Sequence, residues 1–417
     1  MPGSGRREDE RMPYQVIDQV RIFGDPEPQA LAQAKMCART GRVRGVALMA
    51  DHHKGYSQPI GGVVVYEPDQ VSPSGVGFDI ACGNKAARTL LTYPEIAQDV
   101  PKLMDRIWRE ISFGIGRKNP RPVEHPVLEH PLWREEKHLR PLHKLAAEQL
   151  GTVGGGNHYV DLFVEPATQR IWVGVHFGSR GPGFRIASGV LNLMHGRPFD
   201  HPRAGERMDA PPAILDLKSE LGQFYWEAMH LAGAFAYAGR DYVVDQVLRI
   251  LGTRADLEVH NHHNFAWLEE VDGQKAIVVR KGATPNRPGQ LSFVGGSMGD
   301  ISVILRGVDS EESRASFYST VHGAGRLLSR TQAAGKWRRQ GGRRVRVAGA
   351  IDMDAVRRDL ARRGIELRGG GPDEAPAVYR RLQTVLEAHS GSIEILHVLH
   401  PIGVAMAGPD EFDPYKD

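Results

Sequence analysis

The sequence predicts an α+β protein folded as one compact domain. Three observations carry that reading. Glycine-bounded runs of β-branched residues alternate with stretches of helical apolar spacing. No internal repeat, low-complexity segment or linker long enough to separate two domains interrupts them. The residues with chemical potential are spread from Asp79 to His322, so one domain must fold around them all. Length and composition agree: 417 residues, 41% hydrophobic and 25% charged, describe a globular chain with ample core.

Taken in order, residues 1–12 (MPGSGRREDERM) are polar and charged, and predict a flexible arm rather than a signal peptide or anchor. Gly61–Tyr66 (GGVVVY), Ile171–Val175 and Ala276–Val279 predict short buried strands. Ile96–Ile111 and Ile214–Ala238 have helical spacing, and Glu312–Tyr318 predicts a helix leading toward His322. Arg117–His138 is polar and broken by prolines, which predicts an excursion over the surface. No stretch approaches the ~18 apolar residues of a membrane span. Two cysteines, Cys37 and Cys82, with no export signal, point to the cytoplasm.

The chemistry is concentrated in glycine-rich runs. Gly77-Phe78-Asp79-Ile80-Ala81-Cys82-Gly83 and Val153-Gly154-Gly155-Gly156-Asn157-His158 set potential ligands where backbone can turn sharply or approach an anion. Asp79 and Cys82, three apart, can converge on one ion or bridge two, because a thiolate sulfur has several lone pairs. His176 opens His176-Phe177-Gly178-Ser179-Arg180-Gly181, and His263 lies in Val259-His260-Asn261-His262-His263-Asn264. Any single histidine among the 18 is more often structural than ligating; the set gains weight as a group. Imidazole, thiolate and carboxylate together suit Zn²⁺, Mn²⁺ or Co²⁺ better than Mg²⁺ or Ca²⁺. His322 stands in a further glycine-rich run, Ser319–Arg326.

Net charge is only +3, but from Val321 to Arg363 there are 12 Lys/Arg against 3 Asp/Glu. This segment contains Lys336-Trp337-Arg338-Arg339 and Arg343-Arg344-Val345-Arg346. A solvated helix face is one reading. Its start at the His322 motif favours the other, a track for a polyphosphate such as nucleic acid.

These motifs together resemble the RtcB family, the GTP- and manganese-dependent RNA ligases. The resemblance runs from about Met49 to Gly408, through Met49-Ala50-Asp51-His52-His53-Lys54-Gly55, Pro59-Ile60-Gly61, Gly77–Gly83, Gly151–His158, His176–Gly181, His262–Asn264, Arg280–Thr284, Gly296–Gly299 and His322–Arg326, in family order. It implies an RtcB-like catalytic domain over residues 13–408, with mixed β-sheets and surrounding helices, and a tail at 409–417. Asp79, Cys82, His158, His176 and His263 match a site for two divalent ions, with Cys82 bridging. Mn²⁺ is the expected metal and Zn²⁺ or Co²⁺ the alternatives. His322 matches the histidine that takes up GMP, and Gly323, Ala324, Gly325 and Arg326 belong to the same nucleotide run. Asn157, Asp161, Ser297, Ser302 and Tyr379 match nucleotide-pocket positions. Arg180, Arg326 and Arg330 are candidates to bind phosphate, and Arg343, Arg344 and Arg346 to follow RNA. The implied reaction joins an RNA 3′-phosphate or 2′,3′-cyclic phosphate to a 5′-hydroxyl, in tRNA splicing or RNA repair. The substrates would be GTP and RNA (tRNA halves or damaged ends), with room for an activating protein and no role for a membrane.

Two departures fall on the base-recognition side. The family's C-terminal run carries a guanine-contacting lysine, whereas Pro401–Gly408 (PIGVAMAG) has none. A family glutamate three residues after the GGGNH histidine is Asp161 here. These leave an alternative open: a metal-dependent nucleotidyltransferase or end-capping enzyme of the same family with altered nucleotide or substrate choice.

Overall fold

Two mixed sheets dominate the protein, and the chain passes directly from one to the other at His263. The computed structural model describes residues 14–120, 122–202, 207–340 and 343–408, and for 337–340 and 343–346 the backbone alone. The arm 1–12 and the tail 409–417 lie outside the described residues.

The first sheet has six strands in the order Tyr14–Ile17, Val20–Phe23, Val43–His53, Ile60–Tyr66, Gln274–Lys281, Asn264–Val271. The second runs Ala255–His262, Gly83–Thr92, Arg170–Phe177, Tyr159–Val164, Ile393–Met406, Ser302–Gly307, Leu291–Val294, with Glu366–Arg368 beside Ile393–Met406. Strand Ala255–His262 therefore ends in one sheet, and Asn264 begins a strand of the other. The three expected strands fall inside Ile60–Tyr66, Arg170–Phe177 and Gln274–Lys281.

A helix from Glu220 to Leu251 holds the two halves together. Its first part packs Tyr225, Met229 and Phe235 into the core under the first sheet, and its last part packs Val243, Val247 and Ile250 into the core under the second. Ser219 caps its start by accepting from the Gly222 N–H, and Gly252, at φ +68°, ends it in the left-handed region. The expected span Ile214–Ala238 is corrected at both ends. Leu215–Asp216 is a short strand ahead of the Ser219 cap, and Gly239, which resembles a stop, stays helical against Phe177. Ile96–Ile111 is likewise corrected to two helices, Tyr93–Ile96 and Val100–Glu110, the second with Pro101 in its first turn. The stretch Arg117–His138 is more than a surface excursion: Leu128 and Trp133 are core residues, and the Trp133 indole N–H donates to the Val127 carbonyl. Before His322, helix Glu311–Ala315 is followed by Phe317 and Tyr318 at φ +53° and +50°, which turn the chain into strand Ser319–Val321.

The basic segment divides between a ribbon and a helix. Gly335–Gln340 pairs with Arg343–Ala348, and the helix Met353–Arg362 follows.

Candidate metal centre and nucleophile

Strand register gathers the ligands. Cys82 precedes strand Gly83–Thr92, His158 precedes Tyr159–Val164, and His176 lies one residue before the end of Arg170–Phe177. His263 follows Ala255–His262. Gly83 pairs with both Phe177 and His262, and Tyr159 with His176. Four ligands thus emerge at one end of one sheet. The turn that brings Asp79 alongside them is held by the Ala81 N–H, which donates to Asn264 O, and by Asn264 Nδ2, which donates to Asp79 O. A Cβ on Gly83 would collide with the Asn261 carbonyl, so the strand after Cys82 can start only with glycine.

Two ligand groups result, and Cys82 is common to both. Cys82, His176 and His263 form one, and Asp79, Cys82 and His158 the other; within each the ligand atoms lie within 4.8 Å of one another. Cys82 Sγ is 3.5 Å from His176 Nε2 and 3.7 Å from His158 Nε2, and His158 Nε2 is 3.1 Å from Asp79 Oδ2. The opposite ring nitrogens are engaged by oxygen: His158 Nδ1 lies 3.0 Å from Val153 O, and His176 Nδ1 lies 2.6 Å from Asn84 Oδ1. Such partners turn Nε2 toward a shared ion.

The donor set fits divalent transition metals. Burial, then neighbouring His158, holds the His176 imidazole well below its usual pKa; burial, then His322, does so for His263. Both are therefore neutral, as ligation requires. His263 Nδ1 is buried without a hydrogen-bond partner. Burial alone would raise the Asp79 carboxyl, but His158 and Arg180 outweigh it and hold it at about 2. Burial and Asp79 push the Cys82 thiol well above its usual value, so a thiolate there calls for a cation.

His322 meets this centre edge-on, its ring 4.9 Å from that of His263. Its Nδ1 stands 2.5 Å from Asp51 Oδ2, and the backbone N–H groups of His322 and Gly323 donate to the same oxygen at 3.0 and 3.3 Å. Asp51 is fully buried. Burial raises its pKa, but His322 and these hydrogen bonds outweigh burial and the net shift is downward. An anion beside Nδ1 favours a proton on that ring nitrogen, the tautomer that would leave Nε2 as the nucleophilic lone pair.

Around this floor the expected phosphate-binding arginines take distinct places. Arg180 Nη1 lies 3.1 Å from His158 Nδ1. Its guanidinium covers Gly154, and that of Arg330 covers Gly156; a Cβ on either glycine would crowd the arginine. The glycines beside His158 thus make room for cations. Asn157 Nδ2 lies 3.4 Å from His176 Nε2. Arg326 turns away: its Nη1 donates to Tyr379 Oη at 2.8 Å, its Nη2 to Asp373 O at 2.8 Å, and its guanidinium lies over the Tyr379 ring. Tyr379 Oη donates to Glu374, whose carboxylate also lies 3.4 Å from Arg326 and 3.9 Å from Arg330.

The expected nucleotide-pocket residues are less unified. Ser302 Oγ accepts from the Gly296 N–H and so shapes its own loop, while Ser297 is half-buried and its carbonyl accepts from Asp300. Gly325, at φ +73°, lies against the Asp51 carbonyl, where a Cβ would clash; Ala324 is buried. Asp161 pairs with Val404, and one carboxylate oxygen is buried without a partner; burial raises its pKa well above the carboxylate range. Met406 packs with Met298, Leu360 and Tyr159. Arg343, Arg344 and Arg346 lie on the return strand of the ribbon, with side chains outside the description.

Sequence reasoning missed Asp51, Glu374 and Asn84 as site residues. Asp51 had a signal: an acid inside the otherwise apolar Val46-Ala47-Leu48-Met49-Ala50 strand must find a buried partner.

Among the described residues no helix is long and apolar enough to cross a membrane. A family model described as "tRNA-splicing ligase RtcB" matches residues 33–141 and 133–407. The chain is 30% identical to the tRNA-splicing ligase RtcB of Thermococcus kodakarensis, over 86% of each chain. It is 29% identical to the RNA-splicing ligase RtcB of Escherichia coli K12, over 92% of this chain and 94% of the relative. With the RNA-splicing ligase RtcB of Mycobacterium tuberculosis it shares 32% identity, over 87% and 97%.

Proposed function

The chain belongs to the RtcB family, and on that premise we propose that it is an RNA ligase that works through a His322–GMP intermediate. The observation that carries this reading is His322, held by Asp51 at Nδ1 and set 4.9 Å from the ring of His263. In the first step Nε2 attacks the α-phosphorus of GTP; a P–N bond forms and pyrophosphate leaves. GMP then passes to an RNA 3′-phosphate, itself either supplied or released from a 2′,3′-cyclic phosphate. An RNA 5′-hydroxyl attacks that activated end and expels GMP.

Asp79, Cys82, His158, His176 and His263 would hold two ions, Mn²⁺ by family and Zn²⁺ or Co²⁺ by ligand chemistry. When bound, such ions neutralise phosphate oxygens and stabilise both entering and leaving groups of an in-line displacement. Asp51 fixes the tautomer and direction of His322. Arg180 and Arg330, close to the GGGNH loop, are placed to meet phosphate oxygens. Asp161, Ser297, Ser302 and Tyr379 would border the base. RNA would reach the site along the ribbon, which begins five residues beyond Arg330. In sequence, Trp337 stands among Lys336, Arg338 and Arg339, a composition that suits single-stranded RNA.

A second reading, a nucleotidyltransferase or end-capping enzyme with altered nucleotide choice, is favoured by the run Pro401–Gly408, which has no lysine although the family's C-terminal run carries one, and whose Met406 packs in an apolar cluster. One experiment separates the two. Purified protein is incubated with Mn²⁺ and radiolabelled GTP or ATP, then with RNA bearing 3′-phosphate and 5′-hydroxyl ends. Label on protein followed by joined RNA supports the ligase. Label that ends as a stable cap on RNA supports the alternative, and no label from either nucleotide would sink both.

A further inference from the structure

Arg240 is a fully buried cation that none of the chemistry above uses. It projects from the helix Glu220–Leu251, and its Nη1 donates to two carbonyls, Ala81 O at 2.9 Å and Phe177 O at 2.6 Å. Ala81 is the residue before Cys82, and Phe177 the residue after His176. Its Nε donates to His260 Nε2 at 2.8 Å, and its guanidinium lies over the ring of Tyr237. His260 in turn lies 3.3 Å from Asp241 through Nδ1. Among the described residues no carboxylate lies within 4.0 Å of Arg240 itself.

A buried cation without an acid beside it is costly unless other negative charge offsets it. Carbonyl dipoles supply part of that. Arg240 also lies within electrostatic reach of Cys82, Asp79 and Asp241. A purely structural helix-to-sheet tie would be served by an amide or hydroxyl. An arginine that clamps the two segments flanking Cys82 and His176 through both carbonyls also places a positive charge in the core beside them.

We infer that Arg240 is a positioning residue for the metal centre: it sets the spacing of Cys82 and His176 through the Ala81 and Phe177 carbonyls, and its charge balances the bridging thiolate. The inference rests on the two-ion reading of the ligand set. It assigns the long helix a direct part in metal binding, although among the described residues none of its side chains belongs to either ligand group.

The test is Co²⁺ titration of the full-length, chelator-stripped chain, reading affinity and the near-ultraviolet thiolate-to-Co²⁺ band per bound ion. Arg240→Met should weaken binding about 10- to 100-fold, the scale of an orienting partner, and reduce the band at saturation. Arg240→Lys, which keeps a charged donor but not the two-carbonyl clamp, should recover part of the affinity. If both variants bind like the wild type with the same saturated spectrum, the inference is overturned. A lowered thermal midpoint with unchanged affinity and spectrum also overturns it, since that is the signature of a structural tie alone. Should Arg240→Met not fold, Arg240→Lys decides by the same criteria. A wild type that binds Co²⁺ without any thiolate band would remove the two-ion reading itself.

Discussion

The floor of the site and its nucleotide-side wall are built on different principles. On the floor, Cys82, His158, His176 and His263 sit at the ends of neighbouring strands, and pairings such as Gly83 with Phe177 and His262 set their spacing. The wall draws Asp161 and Met406 from strands, Ser302 from the first position of another strand, Ser297 from a loop and Tyr379 from just beyond a short helical turn. Backbone pairing tolerates no gradual change, because a shift moves every side chain on the strand. Loop-borne and apolar contacts can be exchanged one at a time. The two departures from the family pattern, Asp161 and the lysine-free run Pro401–Gly408, both fall on the wall side.

That contrast can be broken most directly at the floor. His322→Ala should abolish covalent nucleotide attachment while metal content and fold persist; acid-labile label at the wild-type level in the variant would remove His322 from its role. Cys82→Ala should cost more activity than loss of any one histidine ligand, exceeding ~10²-fold for a group that serves two ions. Metal analysis should then find up to two ions in the wild type and fewer in the variant. Unchanged stoichiometry would make Cys82 a packing residue. Asp51→Asn keeps shape but removes the anion that selects the His322 tautomer. Its guanylylation rate should fall about 10²-fold with little change in GTP affinity, and a change confined to KM would contradict the assignment.

Smaller effects should mark the wall. Without a lysine in the run Pro401–Gly408, GTP should still be used, with preference over ATP weaker than in relatives by roughly ten- to a hundred-fold, the worth of one charged hydrogen bond. Competition for His322 in the full chain and in a truncation after Gly408 reads this, the truncation excluding any contribution from Lys416. Strong selectivity in both would mean that Asp161, the serines or backbone groups read the base unaided. The ribbon should show the mildest change. Replacing Arg343, Arg344 and Arg346 with alanine should flatten the salt dependence of RNA binding, by up to about 0.7 in log–log slope for each lost phosphate contact to single-stranded RNA, while guanylylation survives. Unchanged RNA affinity at every salt concentration would return this stretch to a solvated surface.

The same contrast explains what the sequence made legible. The ligand set could be read because glycines mark the places where a chain must bend sharply, and ligand-type residues stood beside them. Gly154 and Gly156 carry that signal twice over, since each also makes room for an arginine. Asp51 was quoted within a motif but given no task, because its partner lies 271 positions away and no local pattern encodes that pairing. The long helix was cut short at Ala238 because Gly239 and the charged pair after it imitate a terminus; close packing on Phe177 is what requires the glycine. The prolines around Trp133 mark turns without showing what a turn covers, so the sequence does not reveal that this segment buries an indole.

His263 joins the two sheets, and this gives the ions a second part to play, in assembly. A one-residue slip of either neighbouring strand would carry the imidazole to the opposite face and leave the ion one donor short. If His263 holds an ion, strand register and ion occupancy are linked, and ion binding would favour this pairing of the two strands over a slipped one. The trace of this should be protection at a distance. On ion binding, amide hydrogen exchange should slow along Ala255–His262 and also along Asn264–Val271, whose far end at Val271 contributes no ligand at all.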